Sequence, residues 1–282
     1  KSAGERMKNI LALLTRNPVL GVLAGALCTA VLQSSSATTV MVIGFVSAGL
    51  MSLRQAISII LGANIGTTIT AQLIAFSIGD YAWAFVAVGF VMYFFLKKKE
   101  FLSYLGQTIF AFGVLFVGIN IMGDAMKPLA GSPVFIDLMT QVHDIPVLGV
   151  LLGTLMTVVV QSSSATIAVL QNLASTAGPD GVTSIIGLTG ALPILFGDNI
   201  GTTITAVLAS IGGSLAAKRT AAAHVVFNIT GTFIFIWFIP YYAKFIQFIS
   251  PDGAEIDVIS RQIANAHSCF NIFNTILFIP II

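Results

Sequence analysis

Charge is what this sequence most lacks. Lysine, arginine, aspartate and glutamate make up 9% of its 282 residues, where a soluble domain carries roughly 25%. That shortage, beside a hydrophobic share of 56%, excludes a soluble globular protein. The formal net charge of +2 also leaves nothing like the dense basic surface that nucleic acid requires. Cysteine is nearly absent. Cys28 and Cys269 lie in apolar surroundings, say nothing of redox compartment, and read as two small buried side chains. No signal peptide is present and the first residue is lysine, which predicts a start inside a longer gene product.

Long apolar stretches fill the chain instead. Residues 81–96, 101–122, 220–242 and 257–282 reach or approach the roughly 20 apolar residues that cross a bilayer. The class is an all-α polytopic membrane protein, with the lipid bilayer as its solvent.

The chain repeats itself. Gln33, Ser34, Ser35, Ser36, Ala37 and Thr38 recur as Gln161, Ser162, Ser163, Ser164, Ala165 and Thr166, an offset of 128. Residues 64–71 recur unchanged as 199–206, an offset of 135. The seven extra residues fall between the motifs, where Gly178, Pro179, Asp180 and Gly181 supply a turn. Upstream, Pro18, Gly21, Gly25 and Thr29 match Pro146, Gly149, Gly153 and Thr157. Earlier still, Met7, Ile10, Leu11 and Leu14, with counterparts Phe135, Leu138, Met139 and Val142, form apolar stripes at helical spacing. They predict a short amphipathic surface helix in each copy, ended by proline. A transmembrane helix at 101–122 precedes the second surface helix, so an equivalent is expected before Lys1.

Each unit thus reads as a helix, a surface helix, a re-entrant hairpin around Gln-Ser-Ser-Ser, a helix broken at Asn-Ile-Gly-Thr-Thr, and a further helix. The hairpin arms, 19–32 with 37–49 and 147–160 with 165–177, are too short for full crossings. Three crossings per unit is odd, so the two repeats are expected to be inverted. The first occupies residues 1–100, the second 101–243, and 244–282 form an external loop and the final transmembrane helix.

Charge placement agrees. With the loop of Lys97, Lys98 and Lys99 cytoplasmic, Lys1, Arg6, Lys8, Arg16, Arg54, Lys218 and Arg219 also fall inside, 10 of the 13 basic residues. Lys127, Lys244 and Arg261 fall outside, with all the acids except Glu5, Glu100 and the intramembrane Asp198. That is the positive-inside pattern.

Non-helical backbone in hydrocarbon survives only where protein or a cavity covers it. The serine triplets offer hydroxyls, freed N–H groups and a helix N-terminus, a setting for an oxyanion. Asn64, Thr67 and Thr68, and Asn199, Thr202 and Thr203, offer amide and hydroxyl oxygens beside a glycine that permits unwinding. Such oxygens suit a small hard cation such as sodium. Asp198 stands where the first repeat has Ala63. Two readings of it stand: a sodium ligand or proton-linked group, and a helix cap. Ala223, His224 and Asn228 are echoed by Ala266, His267 and Asn271; these polar residues either line the site or pack helix on helix. His143 reads as solvated. No basic residue lies near either motif except Arg54, so co-bound cations are needed to balance a mid-membrane anion.

The paired Gln-Ser-Ser-Ser motifs, each followed by Gly-x-Asn-Ile-Gly-Thr-Thr at 62–68 and 197–203, resemble the type II sodium-coupled phosphate cotransporters of the bacterial branch, over nearly the whole chain. The resemblance implies a multi-pass plasma (inner) membrane symporter that imports inorganic phosphate with sodium by alternating access. It implies no enzymatic activity and no organic cofactor. Ser34, Ser35, Ser36, Ser162, Ser163 and Ser164 would cradle phosphate. Gln33, Gln161, Asn64, Asn199, Thr67, Thr68, Thr202 and Thr203 would hold sodium or shape its sites. Homo-oligomerisation is compatible with the pattern. Three other functions stay open: transport of another oxyanion such as sulfate, a dicarboxylate or arsenate; an intramembrane serine hydrolase using His224 or His267; and a channel or sensor. Duplication of the serine triplet weighs against the hydrolase, which needs one nucleophile.

Overall fold

The computed structural model describes residue 15 and residues 17–76, 81–130, 132–178 and 180–282. The surface helix expected over Met7, Ile10, Leu11 and Leu14, and the charges Lys1, Glu5, Arg6, Lys8, Arg16 and Asp80, lie outside the described residues.

Thirteen α-helices are described, with a short 3-10 turn at Ile279–Ile281. Helix α1 spans Pro18–Leu32, α2 Ser35–Ser47, α3 Leu53–Ile74, α4 Ala82–Phe95 and α5 Glu100–Ala130. Helix α6 spans Pro133–Asp144, α7 Pro146–Val160, α8 Ser163–Ala174, α9 Gly187–Thr202 and α10 Ile204–Ser210. The last three are α11 Leu215–Ile236, α12 Ile239–Phe248 and α13 Glu255–Phe278. Among the described residues, α3, residues Glu100–Met122 of α5, the α9–α10 pair over Gly187–Ser210, and α11 are long and apolar enough to cross a membrane. The protein is a multi-pass helical membrane protein. Helix α4, expected as a crossing, has 14 residues, about 21 Å at 1.5 Å per residue, shorter than the four long apolar helices. Helix α13 has 24 residues, but Gln262, His267, Asn271, Asn274 and Thr275 fill its buried face.

Local chemistry sets the helix ends. The Asn17 side chain accepts from the Leu20 N–H at 2.8 Å, and Pro18 follows at the first helical position, where its missing N–H costs nothing. Ser52 and Gln55 cap α3 reciprocally. In the second copy the predicted surface helix is α6. Pro146 restarts the chain as α7 after Ile145, and the helices meet at 116°. The predicted turn near Gly178 also forms. Its Gly178 N–H donates to Thr183 O at 2.8 Å. Donation from the Thr183 hydroxyl, then from the Val182 and Thr183 N–H groups, holds the Asp180 carboxyl down at about 2, so it stays charged well into acid.

Two sequence expectations need correction. Helix α3 runs unbroken through Asn64, Ile65, Gly66, Thr67 and Thr68. In the second copy the helix yields only after Thr202, at the single residue Thr203. The glycines serve another purpose. A Cβ on Gly62 would fall on the Val22 carbonyl oxygen, and one on Gly197 would fall on the Val150 carbonyl oxygen. Reciprocally, Gly25 abuts the Ile59 carbonyl and Gly153 the Ile194 carbonyl. These pairs are the same contact at the repeat offsets. The glycines at four-residue spacing are small-xxx-small seams, which let α1 lie against α3 and α7 against α9. Backbone contact, rather than unwinding, selects them.

Away from those seams the first arms point large apolar side chains outward. Leu23, Leu27 and Val31, and their counterparts Leu151, Leu155 and Val159, are each more than half exposed, as a lipid-facing surface requires. The polar residues turn inward. Ala71, near the end of α3, is buried in the apolar cluster that holds Ile167, Leu170 and Ala174 of the second copy. Its repeat counterpart Ala206 is buried in the first copy's cluster, with Val42, Ile43 and Ile60. The two copies therefore interlock, each inserting the end of its motif helix into the other. Helices α4 and α5 form a separate hairpin closed at Gly89, Gly106 and Gly113.

Candidate transport site

The Gln-Ser-Ser-Ser segments are tighter than the sequence suggested. Only Gln33 with Ser34, and Gln161 with Ser162, stand outside helices, because α2 begins at Ser35 and α8 at Ser163. Gln33 (φ 54°) and Gln161 (φ 56°) are the two non-glycine residues with left-handed backbone among the described residues. Each C-caps its preceding arm by donating its N–H at 2.7 Å, to Thr29 O and to Thr157 O. Ser34 and Ser162 then N-cap the following arms, accepting from Ala37 N–H at 3.1 Å and Ala165 N–H at 3.3 Å. Ser35 and Ser163 are buried, and Ser36 and Ser164 half-buried, in the first turns of α2 and α8.

A left-handed glutamine costs about 1–2 kcal/mol relative to a right-handed one, and such strain gathers at functional sites. Gln33 is exposed; its amide donates to Ala30 O at 2.6 Å, and its Oε1 accepts from the Thr70 hydroxyl at 2.8 Å. Glycine adopts this backbone freely. Gln33→Gly and Gln161→Gly are therefore expected to stabilise the fold by about 1 kcal/mol each while impairing transport. Thermal melting beside uptake checks this pairing, and melting lowered together with uptake would contradict it.

The Asn-Ile-Gly-Thr-Thr motifs meet the two His–Asn motifs in matching fashion. Asn64 spends its amide N–H on Ile60 O at 2.8 Å, and Asn199 spends its own on Leu195 O at 2.8 Å. Their oxygens face His224 Nε2 at 3.1 Å and His267 Nε2 at 3.3 Å. Those oxygens only accept, so each Nε2 carries the ring proton and each Nδ1 is a bare acceptor. Asn228 donates to His224 O at 3.1 Å. Asn271 donates to His267 O at 3.0 Å and to Asn199 Oδ1 at 3.1 Å. The sequence left these four between lining and packing. The structure places all four in contact with the motif helices or one turn from a residue that is, with α11 of the second copy serving Asn64 of the first.

Asp198 is fully buried between α7 and α9. Its Oδ1 meets the Thr157 hydroxyl at 2.6 Å. In the first copy, with Ala63 in that place, the equivalent Thr29 turns to Thr38 at 2.9 Å. Thr157 and Thr29 were visible as a matched pair in sequence, but nothing there marked them as site residues. Thr67 and Thr202 are buried. Thr202 donates to Asp198 O at 3.1 Å, Thr68 to Ile65 O at 2.8 Å and Thr203 to Ile200 O at 2.7 Å.

Among the described residues, nine buried side-chain polar atoms lack a hydrogen-bond partner. Seven are acceptors: Gln171 Oε1, Asp198 Oδ2, His224 Nδ1, Asn228 Oδ1, His267 Nδ1, Asn271 Oδ1 and Asn274 Oδ1. Buried polar groups are nearly always satisfied, so these acceptors have room for a donor or a cation. No three His, Cys, Asp or Glu side chains gather among the described residues, and amide, hydroxyl and carboxylate oxygens are the ligands of hard cations.

The sequence profile of the Na+/Pi-cotransporter family matches this chain twice, over residues 1–124 and 116–249. This chain belongs to the Na+/Pi-cotransporter family. The two matches fall on the two copies of the motif pair. The family is one of transporters, not enzymes. YqeW of Bacillus subtilis, a protein named as uncharacterized, is 36% identical over 99% of this chain and 86% of its own length. YjbB of Escherichia coli, provisionally named for inorganic phosphate export, is 28% identical over 94% of this chain. The chain spans 48% of that relative's length. Human sodium-dependent phosphate transport protein 2B is 44% identical over 81 residues, covering 28% of this chain and 11% of its own. No solved structure matches.

One expectation about charge is corrected. The sequence placed no basic residue but Arg54 near the motifs. Arg261 Nη1 in fact donates to Gln72 Oε1 at 2.7 Å, and Gln72 leads through Ser268 to Thr68, by contacts of 3.1 Å each.

Proposed function

We propose that this protein is a sodium-coupled symporter that imports inorganic phosphate across the plasma (inner) membrane by alternating access. The buried acceptors near Asn64, Asn199 and Asp198 carry this reading, because most are the amide and carboxylate oxygens that a hard cation takes as ligands. Family membership supports phosphate as the anion and sodium as the cation. Ser34, Ser35, Ser36, Ser162, Ser163 and Ser164 cradle the phosphate at the first turns of α2 and α8, where helix N-termini favour an oxyanion. Gln33, Gln161, Asn64, Asn199, Asp198 and the Thr67, Thr68, Thr202 and Thr203 hydroxyls hold or shape the sodium sites. His224, Asn228, His267 and Asn271 back them.

The two copies are inverted repeats, and α1–α2 and α7–α8 are re-entrant hairpins. Arms of 15 and 13 residues, and of 15 and 12, are too short to cross and return. The loops holding Lys97, Lys98 and Lys99, and Lys218 and Arg219, face the cytoplasm, as positive charge favours. Export is the second reading, favoured by the name of the Escherichia coli relative.

Thermal stabilisation tests the site. Sodium alone should raise the melting temperature, phosphate alone should do little, and both together should exceed the sum. Equal stabilisation by phosphate with and without sodium would overturn coupled binding.

A further inference from the structure

We propose that Arg261 is the anion-capturing residue at one approach to the transport site and a determinant of phosphate affinity; this rests on the phosphate reading above. Its guanidinium lies over the Phe76 ring, 4.0 Å from the centroid. Nη1 donates to Gln72 Oε1 at 2.7 Å and approaches Gln72 O at 3.4 Å. Gln72 Nε2 donates in turn to Asn265 Oδ1 and to Ser268 Oγ, both at 3.1 Å, and Ser268 reaches Thr68 Oγ1 at 3.1 Å. A continuous chain of hydrogen bonds thus runs from a positive charge on α13 to the Asn-Ile-Gly-Thr-Thr motif on α3.

Two features set this arginine apart from a simple tether. Among the described residues it has no carboxylate within salt-bridge distance, and its Nε and Nη2 have no protein acceptor. A guanidinium carries five N–H donors in a planar fork matched to oxyanions, so most of that fork is unspent. The position is also right. Gln171, buried on α8, donates to Ala71 O at 3.1 Å and Ser260 O at 3.0 Å, the residues immediately before Gln72 and Arg261. Helix α8 begins in the second serine triplet. From Ser164 to Gln171 is seven residues, about 10 Å along the helix. Arg261 is therefore too far to touch an anion held by the serines and close enough to meet it on the way. Its role is capture, which acts on association and is screened by salt.

The test is uptake of radiolabelled inorganic phosphate by the full chain in proteoliposomes, with melting temperatures measured alongside. Arg261→Gln should raise the half-saturating phosphate concentration about tenfold, with the maximal rate within about twofold and the sodium half-saturation unchanged. Its uptake should also lose most of the ionic-strength dependence seen in the wild type. Arg261→Lys, which keeps the charge, should recover most of the lost affinity, and Lys244→Gln, at an exposed site, should change nothing. An unshifted half-saturation in Arg261→Gln, with normal wild-type uptake, would overturn this inference alone. So would a loss confined to maximal rate with a lowered melting temperature, the signature of a tether. Wild-type protein that neither binds nor moves phosphate would overturn the underlying reading instead.

Discussion

Alanine at Gly62 or at Gly197 is expected to destabilise the folded protein by about 3 kcal/mol, and leucine to leave none folded. The added Cβ would land on a carbonyl oxygen, that of Val22 or of Val150. Backbone cannot swing away as a flexible side chain can. Relief would have to come from separating α1 from α3, or α7 from α9, and each pair is held by reciprocal glycines along the same seam. A loss of that size is a large share of the 5–15 kcal/mol that holds a typical domain. Gly118, where a Cβ meets nothing within 4 Å, is the matched control. Thermal melting in detergent checks the pair. Melting of Gly62→Ala within a degree of the wild type would mean that the seams are looser than described.

Replacing Asp198 by asparagine is expected to weaken sodium dependence at least tenfold, while phosphate affinity at saturating sodium changes little. The carboxylate is sealed from solvent, has a hydroxyl from Thr157 at 2.6 Å, and has no cationic side chain within salt-bridge distance among the described residues. A buried carboxylate without a partner is costly, and the sodium site proposed above gives its charge a counter-ion. Asparagine keeps the shape and removes the charge. Thr157→Val should shift sodium dependence in the same direction, by a smaller amount. An unchanged sodium response in Asp198→Asn would reduce the residue to a packing role. Because Ala63 occupies the matched place, Ala63→Asp is not a mirror image: Thr29 there is already committed to Thr38.

Much of this architecture could be read before the structure. Pro18 and Pro146 marked where α1 and α7 begin, and repetition located the paired short helices α1–α2 and α7–α8 and the motif helices at the right residues. The glycines were misread, although the signal was present. Gly21 and Gly25, with Gly62 and Gly66, lie four apart on two predicted helices, which is the spacing of a packing seam; reading Gly66 as a break ignored its partners. The capping role of Ser34 and Ser162 was likewise hidden, since a triplet of serines does not say which one ends the turn. Pairing between copies was out of reach. His224 lies 160 residues from Asn64, and no spacing rule links them; the interlock at Ala71 and Ala206 does. Arg261 was assigned to an external face from charge statistics, which place a residue on a side of the membrane but not against a neighbour. Its contact with Gln72 spans 189 residues.

Sodium-driven accumulation of phosphate tests the proposed function most directly. Purified protein in sealed proteoliposomes, given radiolabelled phosphate with an inward sodium gradient, should accumulate label above the external concentration. The same vesicles with potassium in place of sodium, or with the gradient collapsed by an ionophore, should only equilibrate. Equal accumulation with and without the sodium gradient would contradict the account.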